Sequence, residues 1–129
     1  MLSRRSALLA IAAAAVAISP AFAVGPQPFD AAAFAAAQKA GKPIFVAIHA
    51  SWCPTCKAQT PILSELMADS KFKDLVYFVI DFDSQKDLVR RFGARMQSTL
   101  ISFKGEKEEG RSVGDTNRSS ISALLNRAL

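Results

Sequence analysis

Among 129 residues there are only two cysteines, one histidine, one tryptophan and one tyrosine. Two thiols and the lone His49 cannot close a four-ligand zinc cage of Cys and His. No Met- or His-rich tract offers a soft metal ion further ligands. No apolar run approaches the roughly 20 residues that a membrane span requires. Basic residues outnumber acidic ones by 16 to 11, for a net charge of +5. The adjacent Arg90 and Arg91, however, lack aromatic interleaving and sit among Asp81, Asp83 and Asp87. That is a solvated surface, so no nucleic-acid partner is expected. No internal repeat or low-complexity linker follows residue 40.

What is present begins with an address. Arg4 and Arg5 precede an Ala- and Leu-rich run, Ala7 to Ile18; Pro20 follows it, and Ala21-Phe22-Ala23 places small residues where a signal peptidase reads them. This is the pattern of a secretory signal peptide over residues 1–23. It predicts a periplasmic or secreted protein, cleaved near Ala23, with one domain over residues 24–129. Ser3-Arg4-Arg5 also resembles a twin-arginine signal, with Ala7 where that pattern usually has an aromatic. Loss of Arg4 and Arg5 lowers the net charge from +5 to +3.

The two cysteines lie three apart in Ser51-Trp52-Cys53-Pro54-Thr55-Cys56-Lys57. A bridge over two intervening residues closes a very small loop and is a poor staple, so the spacing points to chemistry. The pair follows a short apolar run, Ile44 to Ile48, and precedes a helix-like pattern. Cys53 is therefore expected at a helix N-terminus, where unpaired N–H groups and the helix dipole favour a thiolate. Cys56, one turn further in, is expected to be more buried and closer to a normal thiol.

Read in order, Asp30 caps a helix from Ala31 to Ala40 whose main core contact is Phe34, and Gly41 and Pro43 end it. Ile44 to His49 is a buried strand. A helix from about Pro54 to Ala68 carries Ile62, Leu63, Leu66 and Met67 on one face, with Pro61 inside it. Leu75 to Ile80 is a second strand, parallel to the first. A short helix runs through Leu88 and Val89 to Phe92, ended by Gly93. Thr99 to Phe103 and Glu108 to Val113 form a hairpin around Lys104-Gly105-Glu106. Asn117 or Thr116 caps a last helix with an apolar face of Ile121, Leu124, Leu125 and Leu129. Phe45, Phe72, Phe78, Phe82, Phe92 and Phe103 are assigned to the core.

A strand-helix-strand unit bearing Trp-Cys-x-x-Cys-Lys, then a helix, a hairpin and a final helix, resembles the thioredoxin family over about Phe29 to Leu129. Trp52, Lys57, Pro61, Phe92-Gly93 and Gly114 fall in register with it. The resemblance implies an α/β fold, a central mixed sheet of about four strands flanked by helices. The family begins with a strand; no strand-like run lies between Ala23 and Asp30, so at most a short N-terminal extra is expected. Pro54-Thr55 also looks like the dipeptide of the periplasmic thioredoxin-like reductants of cytochrome c maturation.

Two positions depart from the family pattern. Where it has a cis-proline before a Thr, this chain has Ser98 before Thr99. A cis bond before Ser98 would cost about 3 to 4 kcal/mol, so either the fold enforces it or the loop is trans and differently shaped. Where the family has a buried Asp and a partner Lys serving the resolving thiol, this chain has Ala47 and Val79. No carboxylate stands behind Cys56, which predicts slow resolution near neutral pH.

The resemblance implies a thiol-disulfide oxidoreductase without cofactor or metal, more a protein-disulfide reductase than a disulfide donor. Cys53 attacks a client disulfide, and Cys56 resolves the mixed disulfide to leave a redox-active Cys53–Cys56 bridge. Trp52, Pro54, Ser98 and Thr99 are the expected substrate-binding surface. A client protein, a membrane thiol carrier as electron donor and a monomeric state complete the expectation. Thr55 and Lys57 are candidates for tuning the thiols. His49, four residues before Cys53, could stabilise its thiolate, ligate metal, or simply pack; strand alternation does not settle its side. The competing readings are a copper- or zinc-binding module using Cys53, Cys56 and His49, and a redox-inert adaptor.

Overall fold

In the computed structural model, residues 12–15 and 24–129 are described. The leader read over residues 1–23 otherwise lies outside them. The elements are β1 (Gln27–Pro28), α1 (Ala31–Lys39), β2 (Pro43–His49), α2 (Pro54–Met67), β3 (Val76–Asp81), α3 (Lys86–Arg91), β4 (Thr99–Lys104), β5 (Lys107–Val113) and α4 (Arg118–Asn126), with a 3-10 turn at Ser70–Phe72. One mixed sheet holds all five strands in the order β1-β3-β2-β4-β5. The four expected strands are there, and the short N-terminal extra is the two-residue β1, parallel to β3 through Gln27 and Phe78.

Side-chain alternation along β2 builds the two layers. Ile44, Val46 and Ile48 face one way and pack with Phe34 and Ala37 of α1 and Val89 of α3. Phe45 and Ala47 face the other way, with Leu63 and Met67 of α2 and Leu124 and Leu125 of α4. Phe29, Phe34, Phe78, Phe92 and Phe103 meet ring to ring, Phe34 and Phe92 with centroids 5.4 Å apart. Tilted and edge-on pairs of this kind add to what burial alone supplies.

The caps follow the side chains available. Asp30 accepts the N–H of Ala33 at α1, and Asn117 accepts that of Ser120 at α4. At α3 the cap position is Gln85, which makes no side-chain cap bond. Pro61 lies inside α2 and cannot supply the N–H that would bond one turn back. Leu129 is a correction: α4 ends at Asn126, and Leu129 is 42% exposed while Ala128 takes the buried place. Phe82 is half-buried at the edge of the core rather than within it.

Candidate active site

Sheet polarity sets the site. Strand β2 ends at His49, the chain turns through Ala50-Ser51-Trp52, and Cys53 becomes the N-cap of α2 with extended backbone. Pro54 follows at the first helical position, where its missing N–H costs nothing and its fixed φ suits the helix. The Cys53 Sγ accepts the N–H of Cys56 at 3.1 Å, and the Cys53 N–H donates to the Ala50 carbonyl at 3.1 Å. A sulfur doing the work of a capping oxygen gains most as a thiolate, because the bonded amide and the helix dipole both stabilise negative charge.

The two thiols are free and, contrary to the expectation from sequence, equally shielded, each about 1% exposed. They pack together with Ala50 and the half-buried Phe82. Cys56 has a further property of its own. Burial, followed by the Cys53 side-chain hydrogen bond, pushes the Cys56 thiol up to about 11, against the opposing pull of the Ala50 and Ser98 backbone. Cys56 is thus a firmly protonated thiol rather than a normal one, since desolvation penalises its anion.

Ser98 settles the shape of the facing loop. There is no cis peptide among the described residues, and Ser98 adopts φ +59. The trans, left-handed serine turns its N–H onto the Ile48 carbonyl of β2 at 2.7 Å, a bond that proline could not make. Its hydroxyl donates to the Gln97 carbonyl at 2.6 Å, and its own carbonyl accepts from Gly114 N–H at 3.0 Å. The loop is therefore held by hydrogen bonds on three sides.

The other expected surface residues divide. Trp52 is 54% exposed, and its Nε1–H donates to Asp83 Oδ2 at 2.7 Å. Pro54 is exposed, Thr55 half-buried and Lys57 exposed. Met96, 51% exposed, adds an apolar side chain on the loop before Ser98. Thr99 is buried, its hydroxyl donating to the Met96 carbonyl at 2.7 Å, so its side chain shapes the loop from within.

Two residues that the sequence reading passed over prove structural to the site. Gln59, 3% exposed, donates through Nε2 to the Ser98 carbonyl at 3.2 Å and the Asp115 carbonyl at 2.8 Å, joining two loops to α2. A trace of it exists in the pattern: Cys56, Gln59, Leu63 and Met67 form the buried stripe of α2, and a polar member of such a stripe needs partners. Asp83 carries no comparable signal, because its partner Trp52 is 31 residues away.

Ala47 and Val79 face each other across β2 and β3, on the α2 side of the sheet. His49 lies opposite Asp81 and lines a groove with Thr60 of α2, so its side is now fixed. Asp81 accepts from the Ser84 hydroxyl and N–H, and these bonds, chiefly the hydroxyl, hold its carboxyl below the usual range, with His49 contributing.

Residues 26–127 match the family model of thioredoxin. The chain is similar to the thioredoxin of Pseudomonas aeruginosa, 33% identical over 87 residues, which cover 67% of this chain and 80% of that protein. The thioredoxin of Chlamydia muridarum is 33% identical over 84 residues, 65% of this chain and 80% of that one. The crystal structure of Trxlp from Edwardsiella tarda EIB202 superposes with a TM-score of 0.75 at 40% identity, covering 78% of this chain and 98% of that one. A Cys-x-x-Cys capping a helix beside a five-stranded mixed sheet, with these relatives, makes this chain a member of the thioredoxin family and a thiol-disulfide oxidoreductase.

Proposed function

We propose that the protein is an exported protein-disulfide reductase in which Cys53 is the nucleophile and Cys56 the resolving thiol. The observation that carries this reading is the asymmetry of the pair. One sulfur accepts an amide N–H as a helix cap, and the other is held protonated behind it at about 11. Thiolate attack followed by a thiol that waits is the order that disulfide reduction requires. Cys53 attacks one sulfur of a client disulfide, releasing the other as a thiolate that takes up a proton. Cys56 then attacks the Cys53 sulfur and frees the second client thiol. Two electrons pass from the cysteine pair to the client.

Exposed Trp52, Pro54 and Met96 supply an apolar docking surface around the sulfurs, and Ser98 shapes the loop beside it. The Arg4-Arg5 leader and the Ala21-Phe22-Ala23 cleavage pattern support export. An exported reductant needs electrons from across a membrane, and a membrane thiol carrier is the donor of matching chemistry.

The test is the equilibrium potential of the Cys53/Cys56 couple in the domain starting at Val24. A potential of about −250 mV or lower is expected; one near about −120 mV would make the protein a disulfide donor instead. In the same protein, Cys56→Ser is expected to accumulate mixed disulfides with clients through Cys53, and Cys53→Ser to accumulate none. Metal retained after purification and lost in Cys53→Ser would favour the metal-binding reading.

A further inference from the structure

The fold leaves the resolving thiol without the acid-base partner its chemistry calls for, and it places a histidine on the side where one would be needed. Cys56 is buried and must lose its proton before it can attack Cys53. On the α2 side of the sheet, the facing positions Ala47 and Val79 carry neither a carboxylate nor an amine. A groove of about 400 Å³ on this side of the sheet is lined by His49, Tyr77, Val79, Asp81, Thr60 and Gln85 among others. Thr60 lies one turn beyond Cys56, and its hydroxyl donates to the Cys56 carbonyl at 3.0 Å. Thr60 is thus the point at which α2, the helix that carries the resolving thiol, meets the groove.

We propose that His49 is the general base of the resolving step, taking the Cys56 proton through water in this groove. The inference rests on the reductase reading above and adds the residue that makes its second half fast. In the mixed disulfide, the neutral imidazole accepts the proton of the Cys56 thiol. The Cys56 thiolate forms its bond to the Cys53 sulfur as the bond from Cys53 to the client sulfur breaks. The electron pair leaves on the client thiolate, and the imidazolium returns the proton to it through the same water. No net proton or external oxidant is consumed.

The surroundings of His49 suit that exchange. From β3 it faces Asp81, in register beside it, and Tyr77, whose buried hydroxyl stays protonated up to about 12. The α2 wall contributes the neutral Thr60, the segment entering α3 the neutral Gln85, and the β1 segment Pro26, Gln27 and Pro28. Asp81 is thus the single charge facing the ring from the groove's lining, and a carboxylate there stabilises the imidazolium as it forms.

The experiment mixes the reduced domain with an excess of an aromatic disulfide that releases a coloured thiolate. Cys53 attack releases one equivalent, and Cys56 resolution releases a second. In His49→Ala the ratio of the second rate to the first is expected to fall about tenfold or more. The second phase of the variant should instead climb continuously with pH toward the Cys56 value of about 11, without the plateau that a general base confers. Free imidazole, which the groove can admit, should restore it. An unchanged ratio and profile in both His49→Ala and His49→Gln would overturn the proposal. So would a parallel fall of both phases with no imidazole rescue, which marks a packing residue. A parent protein lacking even the first phase would instead sink the reductase reading on which this one stands.

Discussion

A left-handed serine is costly, and Ser98 holds φ +59 because its N–H, O–H and carbonyl are each bonded in that conformation. An L-residue in this region gives up roughly 1 to 2 kcal/mol, whereas glycine enters it freely at an entropic cost of about 0.5 to 1 kcal/mol. Ser98→Gly is therefore expected to lie within about 1 kcal/mol of the parent in urea unfolding. Ser98→Pro, by contrast, loses the N–H bonded to Ile48 and cannot adopt a positive φ. It should destabilise the trans loop by about 3 kcal/mol or rebuild it, and a backbone NMR comparison of residues 96–99 distinguishes the two. The proline that the family places here is thus not a simple addition to this chain; the hydrogen bonds have been arranged around its absence.

Elements are joined at the site by Gln59, which ties α2 to the loops before β4 and after β5. Gln59→Leu keeps the volume but takes one of two donors from the Ser98 carbonyl, which keeps the Gly114 N–H, and the side-chain donor from the half-buried Asp115 carbonyl. It is expected to cost about 1 to 3 kcal/mol, seen as a lower urea midpoint with an unchanged slope. A second junction lies where α4 crosses β5: a Cβ on Gly110 would stand 3.1 Å from Leu124 Cδ1 and 2.7 Å from Arg127 Nη1. Arg127 is flexible and can move aside, but Leu124 is buried, so Gly110→Ala should be tolerated while Gly110→Leu displaces α4. Overpacking of that kind costs about 1 to 3 kcal/mol, measurable by thermal unfolding. Such junctions mark the limit of what the sequence discloses. The strands β2, β3 and β4 are legible as apolar runs, and Asp30 and Asn117 announce their helices, because these signals span a few neighbouring residues. A two-residue β1 containing a proline has no periodicity to read, and the Gln59 contacts join residues 39 and 56 positions apart. Burial of Cys53 was likewise invisible, since it depends on how Ala50 and Phe82 close over the pair.

At the scale of the whole molecule, redox state and stability are linked through Cys56. From its ordinary 9.0 up to about 11, the unfolded chain gives up the Cys56 proton while the folded chain keeps it. Stability of the reduced protein must then fall as pH rises through that window. Tyr77, raised from 10.0 to about 12, acts in the same direction but in both redox states. The gap in stability between oxidised and reduced protein is thus expected to shift toward the oxidised form between about pH 9 and 11, as parallel denaturant titrations would reveal. At the acid end the sign reverses. The lowered carboxyl of Asp81 contributes stability that is present above the usual Asp value and lost as pH falls through its folded value. Finally, the only tryptophan of the chain stands half in solvent next to the two sulfurs, pinned by Asp83. The molecule consequently carries its own optical probe. Emission from Trp52 will respond to a bridge forming beside it and to a client covering it, so each turnover can be followed in unlabelled protein.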